Sequence, residues 1–141
     1  MQTQEKNDLL QAEFSANLAY VDQACSMAHD FLQRKGQGQL WFTVELGLRE
    51  ALNNAVVHGS RQDQNLQVSL QILILQDRIR ITVQDQGAGF DWKQALQSKI
   101  LTECEHGRGL CILRAYFHRL GFNQQGNRLD LELLLPQSNN T

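Results

Sequence analysis

The chain has 141 residues, 42% of them hydrophobic, which suffices for the core of one domain and excludes two large ones. Its 13 Lys+Arg against 15 Asp+Glu and its pI near 6.0 leave no chain-wide basic field to attract nucleic acid or an anionic membrane. With 19 Gln beside only 20% charged residues, the surface is built largely from neutral amides, and a single domain over 1–141 is expected, ordered from about 8 to 136.

Residues 1–8 are polar and lack a basic stretch followed by an apolar run, so a secretory leader is not expected, and no apolar run is long enough for a membrane span. Leu10, Ala12 and Phe14 alternate with Gln11 and Glu13, the period of a half-buried strand. Ser15 or Asn17 can then cap a helix over 18–35 whose apolar face is Leu18, Val21, Cys25, Ala28 and Leu32, ended by Gly36 and Gly38. A second helix is expected over 40–58, closed by Gly59. Val68, Leu70, Ile72 and Ile74, then Ile79, Ile81 and Val83, alternate with polar residues about the joint at 76–78, which reads as a hairpin. The glycine-bearing segment 86–109 has no steady period beyond a possible short helix at 92–100. A helix over 109–117 and two strands over 118–122 and 129–135 follow, and the tail after Pro136 is polar. Antiparallel hairpins with helices between them favour an α+β architecture with helices on one face of a mixed, mostly antiparallel sheet.

The three cysteines, Cys25, Cys104 and Cys111, cannot all pair within the chain and form no C-x-x-C motif, so a reducing, cytoplasmic setting is expected. The four histidines lack metal-ligand spacing.

On the second helix, Trp41, Val44, Leu48, Leu52 and Ala55 fall on one side, and Glu50 and Asn54, one turn apart, share the opposite side. A carboxylate and an amide so placed can hold a hydrated cation and orient a nucleophile, or can simply be a solvated helix face. Asp85 continues the alternation of Ile79, Ile81 and Val83 and therefore points to the core side. It needs a partner there, either an exocyclic amine at the back of an apolar pocket or a backbone N–H in a turn. Gly87 and Gly89 permit close backbone approach. Gly107, Arg108, Gly109 and Leu110 open the next helix, where backbone N–H groups can face phosphate oxygens.

The run from Glu50 through Asn54 to Gly59, then Asp85-Gln-Gly87-Ala-Gly89-Phe90, then Gly107 to Leu110, resembles the N, G1 and G2 boxes of the GHKL ATP-binding superfamily. The likeness is strongest to the bacterial anti-sigma factor serine/threonine-protein kinases of partner-switching systems. This resemblance implies a Bergerat-type two-layer α/β sandwich that uses ATP and Mg²⁺. It implies Glu50 as general base, Asn54 as Mg²⁺ ligand and Asp85 as acceptor of the adenine amino group. It further implies nucleotide contacts from Gly87, Gly89, Phe90, Gly107, Arg108, Gly109 and Leu110, with 92–106 as lid.

The partners it implies are a STAS-type anti-anti-sigma (antagonist) protein, a sigma factor or other regulator, and a second copy in a homodimer; no direct contact with nucleic acid or membrane is expected. One departure is that Gly126 is followed by Asn127 and Arg128 where many relatives carry Gly-Thr. A contacting hydroxyl would there be lost or replaced by the Asn127 amide. A nucleotide-gated binding module with little or no transfer is the alternative reading.

Overall fold

The computed structural model describes residues 1–89 and 113–136. Its centre is a six-stranded sheet ordered β1-β2-β3-β4-β6-β5, formed by β1 (Gln2–Lys6), β2 (Leu9–Ser15), β3 (Gln67–Ile74), β4 (Arg78–Asp85), β5 (Arg119–Phe122) and β6 (Arg128–Leu134). All five pairings are antiparallel, so the sheet is not mixed among the described residues. The register aligns the alternating aliphatics in rows. Leu10, Ile72, Ile81, Leu131 and Leu120 are successive partners, as are Ala12, Leu70, Val83, Leu129 and Phe122. These rows form the face that the helices cover.

Helix α1 (Ala19–Arg34) buries Val21, Ala24, Cys25, Ala28, Phe31 and Leu32. Asn17 Oδ1 accepts the Ala19 N–H at 2.9 Å, a cap of the expected kind, while the Ser15 hydroxyl instead donates to the Gln64 carbonyl. Leu18, expected on the apolar face, is 42% exposed because it precedes the first helical turn. Gly36, at φ +75°, ends the helix as expected. A 3₁₀ turn (Gly38–Leu40) leads into α2 (Trp41–Asn53), which buries Val44, Gly47, Leu48, Ala51 and Leu52. Trp41, expected in the core, is only half-buried and stacks on His29 with ring centroids 4.7 Å apart. Residues 113–116 are helical, and the Phe117 ring lies where a side chain at Gly47 would stand.

The expected helix over 40–58 is not α throughout. From Asn54 to Gly59 it widens into a π turn, with the Ser60 N–H bonding back five residues to the Ala55 carbonyl at 2.8 Å. The N-terminus, read as polar and without an element, forms the edge strand β1. All its residues are exposed, so no apolar alternation marks it; pairing with β2 and an ion pair from Glu5 to Arg34 hold it in place. On the outer face of the sheet, Glu132 is 5% exposed and bridges Arg78 Nη1 and Arg80 Nε, each at 2.9 Å. The segment expected as a helix at 92–100 and the tail after Pro136 lie outside the described residues.

Candidate functional site

Asp85 closes β4 opposite Val68, on the helix-covered face, and is 8% exposed. Of the two partners considered for it from sequence, the structure shows the backbone N–H. Its Oδ1 accepts the Gly87 N–H at 2.7 Å, the turn-type bond. Its Oδ2 lies against Gly59, where a Cβ would come within 2.2 Å of that oxygen. Burial pushes the Asp85 carboxyl above its ordinary value, and the Gly87 N–H offsets only part of that.

The π turn accounts for this contact. By widening the end of α2 it keeps Ala55 and Val56 in the core while turning the Gly59 backbone onto Asp85. Gly87 then packs on Gly59 itself, since a Cβ at Gly87 would stand 1.9 Å from the Gly59 carbonyl oxygen. Gly89, at φ +89°, makes the third close approach, to the Gln125 carbonyl. The result is a wall of bare backbone around a desolvated carboxylate.

Glu50 on α2 and Asn54 at its C-terminal cap are half-buried, joined by the Asn54 N–H to the Glu50 carbonyl, and their side chains make no hydrogen bond or ion pair among the described residues. The π turn begins at Asn54, so the helix carrying this pair runs directly into the backbone that meets Asp85. Phe90, Gly107, Arg108, Gly109 and Leu110 lie outside the described residues.

Two features escape sequence reasoning, the Ser60 hydroxyl and the Asn123-centred turn. The Ser60 hydroxyl is buried without a hydrogen-bond partner among the described residues, its only sequence signal being its place after Gly59. Asn123 organises the β5–β6 turn, its Oδ1 accepting the N–H groups of Gly126, Asn127 and Arg128. That turn delivers Asn127, whose carbonyl accepts the Asp85 N–H at 2.9 Å and whose amide donates to the Gly87 carbonyl at 3.3 Å. Asn127 thus ties the turn to the glycine loop.

The donor set can be tested against an adenine nucleotide. A buried carboxylate with one oxygen turned to a side-chain-free wall suits a planar ring bearing an exocyclic N–H. Among the described residues no group of His, Cys, Asp and Glu is arranged to hold a metal by itself. Mg²⁺ does not require one, because it binds through one or two protein oxygens plus phosphates and water, which Asn54 and its neighbour Glu50 can serve. Cys25 is no nucleophile, since burial pushes its thiol up to about 11. No described helix is long and apolar enough to cross a membrane.

Residues 14–133 match the family model described as histidine kinase-like ATPase domain. Over 124 residues, 85% of this chain and 87% of the relative, the sequence is 27% identical to the serine/threonine-protein kinase BtrW of Bordetella bronchiseptica. A stretch of 54 residues, 38% of this chain and 34% of the relative, is 35% identical to the serine-protein kinase RsbW of Bacillus subtilis. An anti-sigma F factor of Geobacillus stearothermophilus is 30% identical over 89 residues, 60% of this chain and 61% of the relative.

Proposed function

The chain belongs to the family of histidine kinase-like ATPase domains, and from that premise we propose that it is an ATP- and Mg²⁺-dependent serine/threonine-protein kinase of a partner-switching pathway. Its substrate in this reading is a STAS-type antagonist protein, and in the absence of unphosphorylated antagonist it sequesters a sigma factor or another regulator. It works as a cytoplasmic homodimer of single domains. The names of its relatives, serine/threonine-protein kinase and anti-sigma F factor, support this class.

The observation that carries the proposal is the contact of Gly59 with Asp85, because it joins the Glu50 and Asn54 helix to the buried carboxylate in one wall. In this reading Asp85 accepts the adenine amino group, and the bare backbone at Gly59, Gly87 and Gly89 lets the base lie close. Asn54 would supply an oxygen to Mg²⁺, which when bound would neutralise phosphate charge. Phe90 belongs to the nucleotide-binding set in this reading, and the contacts proposed for the phosphates come from Gly107, Arg108, Gly109 and Leu110. Glu50 takes the proton of the acceptor hydroxyl. As it does so, the hydroxyl oxygen bonds to the γ phosphorus, the bond from that phosphorus to the β–γ bridging oxygen breaks, and ADP leaves. Positioning and charge neutralisation supply most of the rate enhancement in transfers of this kind.

Asn127 favours a second reading. Its amide is engaged with the Gly87 carbonyl, and it presents no hydroxyl. The domain would then bind nucleotide and change its partner affinity without transfer. Mass spectrometry of a STAS-domain protein incubated with the chain, ATP and Mg²⁺ separates the two. A phosphoserine or phosphothreonine supports the kinase, whereas nucleotide-dependent complex formation with no phosphoprotein selects the binding module.

A further inference from the structure

The Proposed function requires a protein hydroxyl to be brought to Glu50, and α2 carries more on that side than the site uses. At about 100° per residue, Leu46 and Phe42 stand about 40° and 80° to one side of Glu50, with Asn54 on the other. They precede Glu50 by one and two turns, about 6 and 12 Å along the axis. Phe42 is 69% exposed, the most exposed of the large hydrophobic residues described, and Leu46 is half-buried. Beside this stripe, Arg49 is held by Asp22 at 2.7 Å and by Glu45 at 3.2 Å, all three partly or fully exposed. On the other side of Glu50 the Phe117 ring fills the space over Gly47 and closes the face. An aromatic anchor with a polar rim, continuous with the reacting group, has the anatomy of a recognition surface rather than of a scattered surface residue.

We propose that Phe42 and Leu46 form the docking seat for the phosphoacceptor protein, a reading that rests on the kinase assignment. The acceptor is a folded protein that presents its serine or threonine next to an apolar side chain, which covers Phe42 and Leu46 as the hydroxyl reaches Glu50. The rim carries the carboxylates of Asp22, Glu45 and Glu50 against the one guanidinium of Arg49, so the matching surface of the acceptor is neutral to basic. Phe42 acts in this seat as a specificity residue and touches neither nucleotide nor reacting atoms.

The test uses Phe42→Ser and Phe42→Leu in the full chain, with a purified STAS-domain protein of the source genome that the wild type phosphorylates as probe. Phe42→Ser is expected to raise KM for that protein about tenfold or more with kcat little changed, and Phe42→Leu to recover most of the loss. The ATP-induced rise in thermal midpoint reports that the nucleotide site is intact and is expected to match the wild type. An unchanged KM with active transfer overturns the docking seat and leaves the kinase assignment standing. A change of sedimentation from dimer to monomer in Phe42→Ser also overturns it, since the stripe would then be a contact between copies. Failure of the wild type to phosphorylate any STAS-domain protein of its genome removes the kinase assignment and the docking seat together.

Discussion

Asp85→Asn should act with opposite signs on the free and the nucleotide-bound protein. Asp85 is 8% exposed and its carboxyl is raised by burial, with a partial offset from the Gly87 N–H. For a group whose folded pKa lies above its unfolded value, the favourable contribution is present at low pH and is lost as pH rises through the folded value. At pH 7 the charge on Asp85 therefore opposes folding. Asparagine keeps an oxygen for the Gly87 N–H, held at 2.7 Å in the wild type, and removes that charge, so the free variant should melt at the same temperature or higher. With nucleotide the balance reverses. A hydrogen bond from an amine to a carboxylate contributes about 1.5–3 kcal/mol, so its loss should weaken binding about 10- to 150-fold. At an ATP concentration near 100 Kd the wild type gains about 2.7 kcal/mol, and a variant with about 100-fold weaker affinity gains about 0.4 kcal/mol at the same concentration. For a chain of this size, about 3–4 °C per kcal/mol, the ATP-induced rise should shrink from about 8–11 °C to about 1–2 °C. Wild-type affinity should also decline as pH is lowered through the raised Asp85 value, because the protonated carboxyl has lost acceptor capacity. Differential scanning fluorimetry with and without Mg²⁺-ATP measures both signs. A variant that keeps the full ATP-induced rise, or whose free form melts several degrees lower, would refute the reasoning.

Gly87→Ala places a Cβ 1.9 Å from the Gly59 carbonyl oxygen and 2.9 Å from Asp85 Oδ1. Overpacking of this kind should cost about 1–3 kcal/mol and lower the thermal midpoint by about 3–12 °C, whereas Gly121→Ala, with nothing within 4 Å, should be neutral or slightly stabilising. Glu132→Gln tests the outer face. Burial raises the Glu132 carboxyl, but the bonds from Arg80 and Arg78 outweigh this and hold it below the ordinary carboxylate value. A lowered folded value gives stability that is present above the unfolded pKa and lost as pH falls through the folded value, so the variant should be about 1–2 kcal/mol less stable at pH 7 and that gap should shrink steadily on acidification. Urea unfolding across a falling pH series measures it.

What could be read in advance followed from periodicity. The alternation through Leu10 to Phe14, Val68 to Ile74 and Ile79 to Val83 gives β2, β3 and β4 because each strand buries one face only, and the same argument turned Asp85 inward. Strand β1 carries no such signal: its residues are exposed, and it is held by backbone pairing and the Glu5 to Arg34 ion pair, neither of which leaves a hydrophobic period. The π turn was illegible for a different reason. Residues 54–59 satisfy an α-helical pattern, and nothing in their residue types marks the wider turn that sets Gly59 against Asp85. Asn127 likewise takes its meaning from the Asn123-centred turn that sets it beside Gly87. The order of Glu50, Asn54, Asp85, Gly87 and Gly89 was visible along the chain, but the packing of Gly59 and Gly87 about Asp85 is a tertiary contact that no local pattern marks.

The catalytic account rests finally on Glu50, and single-turnover transfer from ATP to a STAS-domain substrate by wild type and Glu50→Gln tests it most directly. The expected result is a fall in the transfer rate of about 10²- to 10⁴-fold, the usual contribution of a positioned base, with the ATP-induced rise in thermal midpoint retained. Transfer by Glu50→Gln at the wild-type rate would contradict the assignment of the base, and with it the catalytic account of the site.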